Sequence, residues 1–572
     1  MDASTKTGET VAEAYLSALY DQGIRHVFAN GGTDFAPIIE ALVRTSDAGR
    51  QVPDFITVPH ENVAMGMASG YYSVTARPAA VMVHVTVGTA NALCGIMNSY
   101  RGRIPILLAA GRTPLTETGH PGSRDIGIHW SQETFDQASM LRDYVKWDYE
   151  LRAGQPVATI VGRALDIAMS EPKGPVYLTL PREVLGNESL DPGPRRRDRE
   201  LGATPPAPSM EALERAADMI AAAERPLIVG GYADQSAEAF FALAELAETH
   251  AIAVAPGRDS TLPSSCPMNL GMASPALLEW ADCIIVLDAP VPWTPSTAAP
   301  KPDTKQIHIG SDPLFSTYPF RGYEMDLTIT GSAGQTLPLL NDVLSTKLGK
   351  KSAAVDKRRA EILEMRQNVE AGRAKILSQA QSSTPIHPAW VAKCINDVKS
   401  ADTIISNELG VPGAFLDLDQ PGCLSGGGGS AGGLGSSIGA ALGAKLGAPD
   451  RQVITAVGDG SYMFNVPSAC HFVARAENLA TLTIINNNSE WFAVRRATTA
   501  MYPEGRAAKS NTLPVVNLTP SPNYEKIVEA VDGYGEKVEA PEDLPGAMER
   551  GLKAVADGNP AVLNVLTQAG GR

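Results

Sequence analysis

Asp459 lies in the segment Gly458-Asp459-Gly460 at the end of the apolar run 453–457, and the pair Asn487-Asn488 closes a second apolar run, 482–485. Residues 461–486 separate the two motifs. Two parallel strands joined by a helical crossover end side by side, so an Asp after one and an Asn after the next converge outside the carboxyl edge of the sheet. Carboxylate and amide oxygens, a backbone carbonyl and two diphosphate oxygens are hard donors that suit octahedral magnesium. Gly458 and Gly460 let backbone amides approach phosphate oxygens, and a helix starting near Ser461 turns its positive end toward them. Taken singly, each motif is an ordinary turn. The distance between them, and the apolar strand before each, make them a metal–diphosphate site.

Such a site needs parallel strands beneath it. From residue 385 onward, apolar runs at 403–406, 453–457 and 482–485 alternate with glycine turns and helical stretches. The opening third has the same logic: strand 26–28, a Gly31-Gly32 turn, helix, strand 55–58, helix, strand 79–83. Between them, strands at 226–229, 252–255, 283–287 and 306–309 alternate with helical segments. The predicted fold class is therefore α/β, with three doubly wound parallel-sheet domains at 1–190, 205–345 and 385–572. The Pro/Arg-rich stretch 191–199, continuing through 203–208, reads as a surface linker, and the charged stretch 347–383 as a helix leading into the third domain.

Composition narrows the function class. A net charge of −15 argues against nucleic acid or an anionic membrane surface as partner. Cys94, Cys266, Cys283, Cys394, Cys423 and Cys470 are scattered with no CxxC pair, the pattern of reduced thiols rather than of a disulfide frame or zinc site. The N-terminus lacks an apolar signal region and no run of about 18 apolar residues occurs, so the expectation is a cytoplasmic protein.

The Gly-Asp-Gly and Asn-Asn pair resembles the signature of the thiamine-diphosphate (ThDP) enzymes of the pyruvate decarboxylase, acetolactate synthase and benzoylformate decarboxylase group. Four further segments agree in that family's order: Val58-Pro-His-Glu61-Asn-Val-Ala-Met-Gly-Met-Ala-Ser-Gly-Tyr-Tyr72, Gly88-Thr-Ala-Asn91, Gly174-Pro-Val-Tyr-Leu-Thr-Leu-Pro181 and Gly432-Gly433-Leu434-Gly435. The resemblance implies that the first domain binds the ThDP pyrimidine, the third binds diphosphate and magnesium, and a Rossmann-like domain lies between. It implies that Asp459 is a metal ligand, and aligning Trp491 with the family's aromatic position makes Asn488 the amide ligand and Glu490 the carbonyl donor. The other register, Asn487 with Ser489, remains open. Gly410, Val411, Gly433, Gly458, Gly460 and Ser461 fall where the family meets the cofactor. Leu434 matches the apolar wedge that bends it, although a Leu in a glycine-rich turn is otherwise packing.

Glu61 matches the carboxyl group that activates the aminopyrimidine, a role favoured by burial, which raises a carboxyl pKa. A Glu at a helix start otherwise serves as a dipole-complementing cap. The family joins the first domain of one subunit to the third of another, which implies a homodimer or homotetramer with sites at subunit interfaces. Ala64, Gly66, Ala68 and Gly70 would allow the close helix approach needed there, or equally tight packing within one chain.

For the substrate pocket, Gly32 and Thr33 in Asn30-Gly-Gly-Thr33-Asp34 resemble a substrate-contacting loop of benzoylformate decarboxylase, with Thr33 at its Ser position. His84 falls where that enzyme has an active-site His; otherwise it is a strand-end histidine. His60 and His129 are left undecided. The chain departs from the pattern at Pro295, which replaces a middle-domain His, and at Arg496-Ala497, which replaces the Gln-Trp pair of acetolactate synthase; nearby Trp293 is assigned to the pocket. The expected function is a ThDP- and magnesium-dependent lyase or carboligase that cleaves a 2-oxo acid or 2-hydroxy ketone through an enamine, with acyloin formation as a second outcome. Two alternatives are an acetolactate synthase-type carboligase, with or without FAD in the middle domain, where no GxGxxG indicates one, and a catalytically silent paralogue that binds ThDP and assembles.

Overall fold

The computed structural model describes residues 8–190, 199–230, 236–257, 262–349, 353–425 and 431–569. The expected linker at 191–199 falls outside the described residues apart from Arg199. The first module holds strands β1 (His26–Ala29), β2 (Asp54–Thr57), β3 (Ala79–Val83), β4 (Ile106–Arg112), β5 (Asp148–Glu150) and β6 (Val176–Pro181). The middle module holds β7 (Pro226–Gly230), β8 (Ala253–Ala255), β9 (Cys283–Leu287), β10 (Lys305–Gly310) and β11 (Leu327–Thr330). The third holds β12 (Ile404–Glu408), β13 (Leu424–Ser425), β14 (Val453–Gly458), β15 (Leu482–Asn487), β16 (Tyr534–Val538) and β17 (Ala561–Leu566).

Each module contributes one sheet, in the orders β2-β1-β3-β4-β6-β5, β11-β10-β9-β7-β8 and β13-β12-β14-β15-β17-β16. All the pairings are parallel, as the alternation of strand and helix requires. The first and third sheets share one strand order, reversing direction between β1 and β3 in one and between β12 and β14 in the other. Such reversal points leave a crevice at the carboxyl ends of the strands, where open α/β sheets bind ligands.

Burial on both faces explains why the strands read as unbroken apolar runs. In β3 and β4, Ala80, Met82, Leu107 and Ala109 pack into one core, while Ala79, Val81, Val83, Ile106, Leu108 and Ala110 face another. The second of these cores also takes Ile438, Leu442, Val457, Tyr462 and Cys470 from the third module, so the two modules share one interior.

The joint is a crossing of two helices, Glu61–Thr75 and Ser437–Gly447. A Cβ on Gly66 would lie 2.9 Å from the Ser436 carbonyl and 3.2 Å from Gly439 Cα; a Cβ on Gly439 would lie 2.9 Å from the Val63 carbonyl and 3.3 Å from Gly66 Cα. A Cβ on Gly70 or Gly443 would run into the carbonyl of Ala440 or Met67. Of the two readings of these small residues, close packing within the chain is the contact seen. Side chains lock the crossing: Asn62 Nδ2 donates to the Gly435 carbonyl at 2.7 Å, and Asn98 Nδ2 to the Gly433 carbonyl at 2.6 Å.

Most of the charged stretch lies in one helix, Ala353–Ala380, few of whose residues are buried, while Lys347 and Leu348 close the preceding helix, Ala333–Leu348. All six cysteines are free, and Cys94 is the exposed one. Among the described residues no helix is long and apolar enough to cross a membrane.

Candidate active site

Asp459 opens the helix Asp459–Phe464, two residues earlier than the sequence pattern placed it, and follows directly on β14. Its side chain is 3% exposed, with Oδ1 accepting the Gly460 amide at 2.9 Å and Oδ2 the Ser489 amide at 2.8 Å. Among the described residues it has no ion-pair partner. Burial, with Glu490 nearby adding like charge, raises its pKa to about 6 against the pull of the amides. A buried carboxylate without a cation, beside a turn rich in carbonyl and amide oxygens, is a donor set that fits a hard divalent ion.

The three consecutive asparagines behave differently. Asn486 and Asn487 are the last residues of β15, so their side chains leave opposite faces. Asn486 donates Nδ2 to the Gly410 carbonyl, and its Oδ1 is buried without a hydrogen-bond partner. Asn487 turns inward: Nδ2 donates to Asn564 Oδ1 at 3.0 Å and Ser521 Oγ at 2.8 Å, and Oδ1 accepts the Ser489 amide at 3.1 Å. Asn564 in turn donates to the buried Glu525 at 2.8 Å. Asn488 is half-buried, and its Oδ1 accepts the Glu490 amide at 3.0 Å. The Glu490 carbonyl accepts the Phe492 amide at 2.9 Å, and its carboxylate pairs with Arg495.

The neighbouring turns are built for backbone approach. A Cβ on Gly410 would strike the backbone at Ala456 and Val457, and one on Gly460 the Trp491 ring. Gly435 has φ of +92° and lies against the Phe464 carbonyl, so no other residue fits there. Glu408, at the end of β12, accepts the amides of Gly435, Ser436 and Ser437 at 2.6, 3.0 and 2.8 Å, capping the Ser437–Gly447 helix. Its burial outweighs those bonds and pushes its pKa up. Val411 is buried, with both backbone groups held by the Asn407 side chain at 3.1 and 2.9 Å. Leu434 is half-buried beside Gly433, and Ser461 is buried in the first turn of its helix.

In the first module, Glu61 is the first residue of its helix and is buried; Oε2 accepts a hydrogen bond from Asn91 Nδ2 at 2.5 Å. Gly88 keeps that corner open, since a Cβ there would lie 3.3 Å from Glu61 Oε1. His60 is the N-cap, its Nδ1 accepting the Asn62 amide at 3.2 Å.

His84 follows β3 and holds the N-cap position of the helix Val85–Asn91 without a side-chain capping bond. Its Nδ1 lies 2.5 Å from Asp34 Oδ1, and its Nε2 3.2 Å from Gln132 Nε2. Asp34 follows β1, so this pair spans the strand-order reversal of the first sheet. The bond to Asp34 raises the His84 pKa above its ordinary value; burial opposes it, and the charges of Asp34 and Glu61 add to it. His129, in the short helix Ile128–Ser131, is buried with Nε2 unpartnered, and its pKa is lowered by burial and then by Arg182.

Other assigned pocket residues lie differently. Thr33 is exposed, while the next residue reaches His84. Gly32 adjoins the imidazole, which a Cβ would overlap. Trp293 sits in the middle-module core, edge-on to Tyr323 at 5.4 Å, its carbonyl taking the Tyr323 hydroxyl at 2.7 Å. The sequence pattern left Asp34, Gln132, Asn91 and Glu408 unassigned. Asp34 carried a signal in its glycine turn, but adjacency to Thr33 gave no way to choose between them.

Comparison with known proteins bears on the family and the fold. Three family models match: thiamine pyrophosphate enzyme N-terminal TPP-binding domain over residues 9–140, central domain over 213–340, and C-terminal TPP-binding domain over 413–565. The acetolactate synthase large subunit of Mycobacterium tuberculosis is 26% identical over 597 aligned residues, covering 99% of this chain and 98% of that protein. The 2-hydroxyacyl-CoA lyase of Oryza sativa subsp. japonica is 24% identical, covering 99% and 95%. The structure of a thiamine diphosphate-dependent 4-hydroxybenzoylformate decarboxylase from Rhodococcus jostii RHA1 superposes with a TM-score of 0.75 at 22% identity, covering 98% of this chain and 99% of that one. At that identity the superposition bears on fold alone.

Proposed function

The chain belongs to the thiamine pyrophosphate enzyme family, and from that premise we propose that it is a magnesium-dependent lyase that breaks the bond between the carbonyl carbon and its neighbour in a 2-oxo acid or 2-hydroxy ketone. The observation that carries this reading is the half-buried His84 in contact with Asp34 at the strand-order reversal of the first sheet, on the module whose helix after β2 opens with the buried Glu61. Bound ThDP supplies an electron sink for the carbanion left when a C–C bond breaks.

The protein's part is positioning and proton supply. Asp459, Asn488 and the Glu490 carbonyl would hold magnesium, and Gly410, Val411, Gly433, Leu434, Gly458, Gly460 and Ser461 would meet the cofactor. Glu61, its position fixed by Asn91, would share a proton with the aminopyrimidine ring. His84 moves protons to and from the substrate through Nε2. Gly32, and Thr33 at the rim, border the same pocket. The assembly proposed is a homodimer or homotetramer in the cytoplasm.

A panel of 2-oxo acids and acyloins tests the reading, with ThDP and magnesium supplied and both carbon dioxide and acyloin products followed. Carbon dioxide with aldehyde release is the expected outcome. Acyloin as sole product would move the assignment to an acetolactate synthase-type ligation. No turnover on any member, with ThDP bound, would overturn the enzymatic reading in favour of a silent paralogue.

A further inference from the structure

Asp34 stands outside every role assigned so far, yet it is the closest polar contact of His84. It occupies the short turn Thr33–Phe35, is 2% exposed, and places Oδ1 2.5 Å from His84 Nδ1 while Oδ2 accepts the Val85 amide at 3.4 Å. Two glycines make room for the pair: a Cβ on Gly32 would overlap the imidazole, and one on Gly111 would overlap the Asp34 carboxylate. Val85, whose amide meets Asp34, has φ of +32°, a value that is costly for a β-branched residue.

We propose that Asp34 is the positioning residue of the reaction, fixing the tautomer and orientation of His84. This rests on the assignment of His84 above. A carboxylate accepts only, so Nδ1 carries the hydrogen of the Asp34 bond and Nε2 keeps the lone pair. Gln132 Nε2 lies 3.2 Å from His84 Nε2 and donates to that lone pair, so Nε2 is the nitrogen left to take a proton and must release this bond when it does. When Nε2 takes a proton, Nδ1 keeps its own, and the imidazolium charge lies against Asp34. When Nε2 gives the proton up, the neutral tautomer is restored.

Two titratable groups act on His84 from the elements packed around it. Asp34 from the turn after β1 and Glu61 from the helix start both favour the charged ring, while His129, from the helix Ile128–Ser131, has its own pKa lowered in part by the His84 charge. Asp34 is the one in direct contact, so its removal has the largest effect.

The test needs neither cofactor nor substrate. Diethyl pyrocarbonate modifies neutral imidazole, and its rate at His84 as a function of pH, read by peptide mass mapping of the cofactor-free protein, gives the His84 midpoint directly. Asp34→Asn and Asp34→Ser, both uncharged, should each move that midpoint down by at least about one pH unit. Circular dichroism and ThDP affinity serve as checks that the variants fold, and either variant suffices. On an active substrate, whichever limb of the kcat/KM profile reports His84 should move down with the midpoint. An unchanged midpoint would overturn the proposal whatever the substrate panel shows. A shifted midpoint with no turnover on the panel would count against the lyase reading and leave the Asp34 assignment standing.

Discussion

Asp459 Oδ2 accepts the backbone amide of Ser489 at 2.8 Å, so the turn after β15 hangs on the carboxylate that follows β14. One side chain thus orders the loop and, in the proposed site, would supply the charge for a cation. Asp459→Ala should lower the affinity for magnesium and ThDP by at least the 10–100-fold typical of lost metal-site support, with secondary structure retained. Calorimetric titration measures this, and wild-type affinity would remove Asp459 from the site.

Glu61→Gln separates activation from binding. An amide can fill the space and still meet Asn91, but it cannot share a proton with a ring nitrogen. ThDP affinity should stay within a few-fold of wild type, while exchange of the cofactor C2 proton in heavy water slows by something on the order of 10²–10⁴. Quenched-flow exchange followed by NMR reads it, and near-normal exchange would return Glu61 to a helix cap.

Gly70 tests the joint between modules. Any side chain there meets the Ala440 carbonyl, so Gly70→Val should force the two helices apart and destabilise the protein by about 1–3 kcal/mol, the usual cost of overpacking. Urea unfolding should show a lower midpoint. An unchanged one would mean the joint yields without cost.

His308 gives a pH dependence. It is 0% exposed, stacks on Phe315 at 5.9 Å, and burial, together with Arg321 and Arg103, lowers its pKa to about 3. Between that value and the ordinary 6.5, the unfolded chain binds a proton that the folded one refuses, so stability falls as pH drops through the window. His308→Phe removes this term, and the loss of stability between pH 7 and pH 5 should shrink by about 2 kcal/mol. Paired urea titrations at the two pH values check it; an equal loss in both proteins would place the acid sensitivity elsewhere.

The parallel sheets were legible because both faces of each strand are covered, which leaves long apolar runs between glycine turns. The spacing of Asp459 and the asparagines was legible because strand ends and a crossover of fixed kind set it. Individual atoms were less so. Asn487 and Asn488 look alike in sequence, and the difference comes from Asn564 and Ser521, which are distant in the chain. Thr33 and Asp34 are neighbours in a tight turn, where one residue of offset decides which side chain reaches β3. Trp293 was assigned to the pocket because it lies beside Pro295, where the resemblance expects a histidine; its ring packs edge-on to Tyr323 from a later segment. In each case the deciding partner is brought near by the fold and leaves no local pattern.

The Gly66–Gly439 contact is reciprocal. Each glycine faces the other's Cα, Gly70 faces Ala440, and Gly443 faces Met67. The two helices also hold equivalent places, each following the edge strand, β2 or β13, of sheets with one strand order. The crossing is therefore a local two-fold, the isologous form of contact that homodimers use, made here between two halves of one chain. Such a contact carries no mark of which chain owns each half. If two copies exchanged their third modules, every atom pair of the crossing would be kept, and closing a dimer through this surface would ask for no new one.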